Sequence, residues 1–181
     1  KDAAGIAEAV TRPDMKFVAI KTIEQQDMLL LHRARELAIK QRTAQSNQIR
    51  GLLAEYGVVI AKGFSHLNKF AEILDQNKEK LTHESTRIFS QLFEHFKMFD
   101  KQVADYDKQI EQKAKQNPIC NQLMEVEGIG PITASAAVAT IGDAKVFKRG
   151  REVSAWLGLV PKQHSSGNKE RLLGISKRGD K

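Results

Sequence analysis

The sequence predicts a mainly α-helical fold: a long antiparallel helical hairpin or coiled coil, then a small C-terminal domain with a helix-hairpin-helix-like turn. Three observations predict it. The stretches 22–56 and 78–115 hold a single helix breaker between them, Gly51. The second stretch carries Phe89, Leu92, Phe96, Phe99, Val103, Tyr106 and Ile110 at alternating steps of three and four, the spacing that keeps one helix face against a partner. Beyond Asn117-Pro118 the texture changes to small residues, glycines and basic loops.

Residues 1–10 start as a helix, with Asp2 placed to cap it or to favour its positive end. Thr11-Arg12-Pro13 breaks it. Phe17-Val18-Ala19-Ile20 reads as a short extended run. Thr22, followed three residues later by Gln25, has the form of a capping box and opens the first long helix. Two heptad registers compete along it: Leu30, Leu37, Ala44 and Leu31, Ala38, Gln45, Leu52. Gly57 and Gly63 bound Val58-Val59-Ile60, read as a turn between the long helices. The second long helix ends at Asn117-Pro118, where the domain boundary is placed. Trp156 to Val160 reads as a strand-like or buried run that stops at Pro161.

No apolar run reaches 18 residues, so no spanning helix is expected, and no secretory leader stands at the start. Cys120 is the only cysteine, which excludes a disulfide framework and a thiolate metal cluster and fits a reducing cytoplasm. The net charge of +7 is unevenly spread. Residues 145–181 hold ten Lys/Arg and three Asp/Glu, the whole of the surplus. A polyanionic partner is expected there. The chain lacks an initiator Met and ends on Arg178-Gly179-Asp180-Lys181, so both ends are expected to continue in a longer protein.

Two stretches carry candidate chemistry. In Val126-Glu127-Gly128-Ile129-Gly130-Pro131, Gly128 and Gly130 allow a tight turn, and Pro131 suits the first position of a helix. Amides at such a helix start can hold a DNA phosphate without reading sequence. The alanines that follow permit close helix packing. The second stretch is the loop His164 to Gly167 after Gly158-Leu159-Val160-Pro161. It offers the hydroxyls of Ser165 and Ser166, with His164 as a nearby proton acceptor. Lys162, Lys169, Arg171, Lys177 and Arg178 supply positive charge for an attacked or gripped phosphodiester. On the residues alone, such a loop is also an ordinary surface turn. The five histidines show no ligand spacing, and the carboxylates form no complete metal set.

The order of these parts resembles the bridge-RNA-guided insertion-sequence transposases, the IS one-ten and IS eleven-eleven group. The C-terminal match is the stronger. It runs through Glu127 to Pro131, Phe147, Ala155-Trp156-Leu157-Gly158-Leu159-Val160-Pro161, Ser166-Gly167 and Gly174 to Asp180. At the other end, Asp2-Ala3-Ala4-Gly5-Ile6-Ala7-Glu8-Ala9 resembles the stretch opened by the fourth acid of an Asp-Glu-Asp-Asp tetrad. The resemblance implies 1–20 as the tail end of a RuvC-like domain whose remainder lies upstream. It implies 21–117 as a coiled-coil region and 118–181 as a C-terminal transposase domain cut short at its end.

The resemblance further implies that Ser166, rather than Ser165, attacks DNA and becomes covalently linked to it. Asp2 would be the fourth acid of a tetrad holding divalent metal, Mg²⁺ in the intact protein. A structured noncoding guide RNA would choose the DNA by base pairing, and the protein would act in the bacterial cytoplasm as a homodimer or tetramer. This stretch alone would bind nucleic acid without recombining it. Two other classes fit parts of the sequence. A non-catalytic helix-hairpin-helix DNA-binding protein would not need Ser166. A coiled-coil oligomerisation protein with an incidentally basic tail would bind negligible DNA or RNA.

Overall fold

The computed structural model describes residues 2–13, 20–167, 169–176 and 179. The expected extended run at 17–20 lies, apart from Ile20, outside the described residues, as do Lys177 and Arg178. The chain divides into two compact units, Lys1–Gly142 and Asp143–Lys181.

In the first unit, α1 (Asp2–Thr11) buries none of its residues. The long helix α2 (Ile23–Glu55) begins at the expected capping box. The Thr22 hydroxyl accepts from the Gln25 amide at 3.3 Å, and the Gln25 side chain accepts from the Thr22 amide at 2.9 Å. Two orphan donors of the first turn are thereby satisfied. The second long helix, α4 (His83–Gln116), begins five residues later than the sequence suggested. Lys78–Lys80 instead forms a 3₁₀ turn, and the Thr82 hydroxyl caps α4 by accepting from the Ser85 amide at 3.1 Å.

Helices α2 and α4 form an antiparallel pair. Arg35 meets Asp107, and Arg42 meets Asp100 at 2.7 Å. The numbers rise on one helix as they fall on the other. On α4 the expected seam is buried: Phe89, Phe96, Val103 and Ile110 are all 4% exposed or less. On α2 only one of the two registers faces inward. Ala38 is buried, and Leu31, Gln45 and Leu52 are half-buried. Leu30 and Leu37 are 66% and 56% exposed, and Ala44 is exposed too. The register Leu30-Leu37-Ala44 is therefore a surface stripe.

The connection between the long helices is a small folded cap rather than a plain turn. It contains a 3₁₀ turn at Ser65–Lys69 and the helix α3 (Phe70–Gln76). Val58, Ile60, Leu67, Phe70 and Leu74 of the cap join Ile49, Leu53, Phe89 and Phe96 in one core. Phe70 stacks on Phe93 with ring centroids 4.5 Å apart. At the other end of the pair lie α5 (Pro118–Met124) and α6 (Pro131–Ile141). The alanine-rich α6 packs on both long helices. Its small side chains let Ala134 lie buried with Cys120 and Ala114, and Ala139 is buried as well. The sequence boundary at 117 marks the break between α4 and α5, while the division between compact units falls after Gly142.

The second unit holds a short 3₁₀ turn at Ala144–Val146, the helix α7 (Gly150–Trp156), and strands β1 (Pro161–Gln163) and β2 (Leu172–Ile175), paired antiparallel. Trp156 closes α7, and Phe147 meets it edge-on at 5.9 Å. The run Trp156–Val160 is thus a helix end and a turn, and the strand starts at Pro161, where it was expected to stop. Gly158 takes φ +70° in this turn, a conformation open to glycine. The Ser176 hydroxyl donates to the Gly158 carbonyl at 3.0 Å, and the Ser176 amide to Val160 at 2.8 Å.

Candidate nucleic-acid interface and serine site

Ser165 and Ser166 stand near the tip of the β1–β2 hairpin. The His164 amide donates to the Arg171 carbonyl at 2.9 Å, which extends the pairing beyond β1. Ser166 pairs with Lys169, whose amide donates to the Ser166 carbonyl at 3.3 Å. Gly167 turns the chain between them at φ +59°. A side chain other than glycine or asparagine is disfavoured at such a backbone.

This register gives the two serines different surroundings. The Ser165 hydroxyl accepts from the Arg171 amide at 3.4 Å. The Ser166 hydroxyl is exposed, and no hydrogen bond to it is made among the described residues. Lys162, Lys169 and Arg171 are exposed along the same ribbon, with no ion pair among the described residues. The ribbon is therefore a cationic strip carrying an unengaged hydroxyl. His164 is exposed, and its ring bonds to neither serine.

The glycine turn belongs to the first unit. Gly128 has φ +88°, and Gly130 precedes α6 without a side-chain cap. Pro131 occupies the first turn, as its spacing required. The first intrahelical bond runs from the Ala134 amide to the Gly130 carbonyl at 2.9 Å, so the Ile132 and Thr133 amides have no helical acceptor. Exposed Glu125 and Glu127 flank the turn, which weighs against anion binding there.

Asp2 opens α1 and is exposed. Among the described residues, no three His, Cys, Asp or Glu side chains gather as a metal site. A single exposed carboxylate does not make the oxygen cage that Mg²⁺ requires.

The structure also assembles groups that the spacing did not single out. The His32 ring lies 3.0 Å from the Ser135 hydroxyl across α2 and α6. That hydroxyl also reaches the Pro131 carbonyl at 2.7 Å. Its one proton goes to the carbonyl, so His32 Nε2–H donates to Ser135, and the pair is a structural link rather than an activated nucleophile. Burial lowers the His32 pKa, and the Arg35 charge lowers it further. Arg42 bonds Asp100 and covers the Phe64 ring at 4.4 Å. A usable signal for the ion pairs was the sevenfold spacing of Arg35 and Arg42 on one helix and of Asp100 and Asp107 on the other. Burial raises the Cys120 pKa, which keeps the thiol neutral and inert.

The candidate site is thus an exposed cationic ribbon with a serine hydroxyl near its tip. Residues 120–181 match the family described as Transposase IS116/IS110/IS902. Over 180 residues the chain is 43% identical to a transposase for insertion sequence element IS1111A from Coxiella burnetii, covering 99% of this chain and 50% of that protein. It is 39% identical over 181 residues to a probable family 20 transposase of Pseudomonas aeruginosa, covering 99% and 54%. It is 34% identical over 180 residues to a transposase for insertion sequence element IS1328 from Yersinia enterocolitica, covering 99% and 53%. The chain thus matches IS110/IS116-family transposases over part of their length, spanning about half of the curated relatives it matches.

Proposed function

We propose that this chain is part of an insertion-sequence transposase that cleaves and rejoins DNA through Ser166. The supporting observation is the hairpin tip, where the Ser166 hydroxyl is exposed and unengaged while that of Ser165 accepts from Arg171. In the proposed step, Ser166 Oγ attacks a DNA phosphorus and its proton passes to an acceptor. A serine–phosphate ester forms, the scissile P–O bond breaks, and the departing oxygen leaves as a hydroxyl after taking up a proton. Lys162, Lys169 and Arg171 offset the charge that grows on the phosphate. Lys177 and Arg178 are assigned to the same backbone grip from their place in the sequence.

Asp2 is assigned as one acid of a tetrad completed by residues outside this chain. When bound, Mg²⁺ would polarise the scissile phosphate. One carboxylate does not hold the ion, so no step by this chain passes through it. A structured guide RNA would select the DNA by base pairing, and the protein would act as a homodimer or tetramer in the bacterial cytoplasm. A second reading, a non-catalytic DNA-binding module, would use the uncapped start of α6 with Gly128 and Gly130, against the opposing charge of Glu125 and Glu127.

The test uses the protein at the full length of its relatives, with the element's flanking noncoding RNA, DNA and Mg²⁺. Protein covalently joined to DNA is then measured. The adduct is expected to vanish in Ser166→Ala and persist in Ser165→Ala. Loss only in Ser165→Ala would move the nucleophile by one residue. An unchanged adduct in both would exclude this loop. No adduct from folded, RNA-bound protein would favour the binding module.

A further inference from the structure

The pairing of the β1–β2 hairpin sorts its side chains onto two faces. Gln163 pairs with Leu172, and Ser166 with Lys169. Two residues on each strand separate these pairs, and between them the His164 amide donates to the Arg171 carbonyl at 2.9 Å. One register therefore runs from Gln163 to Ser166. Paired residues share a face, and successive residues along a strand alternate between faces. One face holds His164 opposite Arg171 and Ser166 opposite Lys169, with Lys162 next along β1. The other holds Gln163 opposite Leu172 and Ser165 opposite Glu170.

Charge follows the same division. Lys162, Lys169 and Arg171 stand on the Ser166 face, and Glu170, the one carboxylate between Pro161 and Ile175, stands on the Ser165 face. A phosphodiester held by the three cations thus meets Ser166 rather than Ser165. His164 is exposed and lies on that face about 6.8 Å along the strand from Ser166, two residues at about 3.4 Å each. Side chains in a strand lean along it, so the imidazole and the hydroxyl can close this gap. Charged lysine and arginine side chains are donors without an acceptor. Among the described residues of this face, the His164 imidazole is the one side chain besides the serine that offers an acceptor.

We propose that His164 takes the proton of Ser166 as that hydroxyl attacks DNA. The inference rests on the reading of Ser166 as the nucleophile and adds the acceptor which that step requires. A ring nitrogen of His164 accepts the Oγ proton while Oγ bonds to phosphorus. The scissile P–O bond breaks, its electron pair stays on the departing oxygen, and that oxygen takes a proton from solvent. Lys169 and Arg171 hold the phosphate meanwhile. In the free chain the ring bonds to neither serine; the contact belongs to the DNA-bound state, in which catalytic hydrogen bonds tighten.

The test uses the protein at the full length of its relatives, with the element's noncoding RNA, DNA and Mg²⁺. Noncovalent DNA binding and the rate of covalent adduct formation are read separately. His164→Ala is expected to slow the adduct about a hundredfold with DNA affinity unchanged. Free imidazole is expected to restore part of that rate, rising with its concentration, and to restore none in Ser166→Ala. Gln163→Ala, beside His164 but on the other face, is expected to leave the rate unchanged.

Two results would overturn the inference and leave the serine reading standing. One is an adduct formed at the full rate in His164→Ala while Ser166→Ala forms none. The other is a slowed His164→Ala that imidazole does not restore and whose DNA affinity falls by the same factor, which would make His164 a phosphate contact. An adduct that persists in Ser166→Ala would remove the serine reading and this inference with it.

Discussion

Replacing Phe96 by alanine tests the register of the long hairpin. Phe96 is 3% exposed, with its ring 5.8 Å from that of Phe64 and 6.0 Å from that of Phe93. Truncating a buried phenylalanine costs about 3–5 kcal/mol, because transfer energy and cavity energy add. The two aromatic contacts place Phe96→Ala no lower than the middle of that range, at about 4 kcal/mol. The comparison is Leu37→Ala. Leu37 belongs to the competing heptad and is 56% exposed, so its truncation should change stability by less than about 0.5 kcal/mol. Equilibrium unfolding in urea, followed by circular dichroism on dilute protein, measures both. The midpoint should fall steeply in Phe96→Ala with the slope unchanged, and barely move in Leu37→Ala. Equal costs at the two positions would refute the assigned register.

Three further outcomes are expected. The His32 pKa is depressed in the folded chain, so protons bind the unfolded state first. Stability is therefore full above about pH 6.5 and falls as the pH drops towards the folded-state value; His32→Gln should flatten that part of a stability–pH profile. A Cβ at Gly179 would collide with the backbone of Trp156, Leu157 and Gly158. Gly179→Ala should therefore speed proteolysis within 157–179 while leaving the unfolding midpoint of the first unit in place. If the ribbon grips DNA, each of Lys162→Ala, Lys169→Ala and Arg171→Ala should lower the slope of log affinity against log salt by about 0.9 per lost phosphate contact. An unchanged slope would remove that residue from the interface.

Much of the first unit was legible because its signals are local. The capping box needs only Thr22 and Gln25, and the α4 seam repeats the same residue types over three heptads. The register of α2 was not legible, for a physical reason. Its inward stripe includes Arg35, Arg42, Gln45 and Ser46, which do not read as core. The arginines lie there because Asp107 and Asp100 meet their charges from the facing helix. Leu30 and Leu37 look more like core and lie outside. The apolar run Trp156–Val160 was ambiguous by length, since a short apolar run suits a helix end as well as a strand. At the candidate serine site, the two hydroxyls were legible as chemistry, but their different surroundings were not. The difference depends on the pairing of His164 with Arg171 across the hairpin, which no local spacing encodes.

The two ion pairs between the long helices have a consequence for length. Arg35 and Arg42 are one heptad apart, and so are Asp107 and Asp100. The hairpin behaves as a ruler with fixed graduations of about 10.5 Å, seven residues at 1.5 Å each. Removing three or four residues from one helix alone would rotate its face by only about 40–60°, but would slide it about one turn along the partner and misalign both charge pairs. Removing seven from each helix would restore every contact and bring the cap closer to α5 and α6 by one graduation. The distance between the two ends of this unit can therefore be changed only in whole steps, by matched edits to both helices.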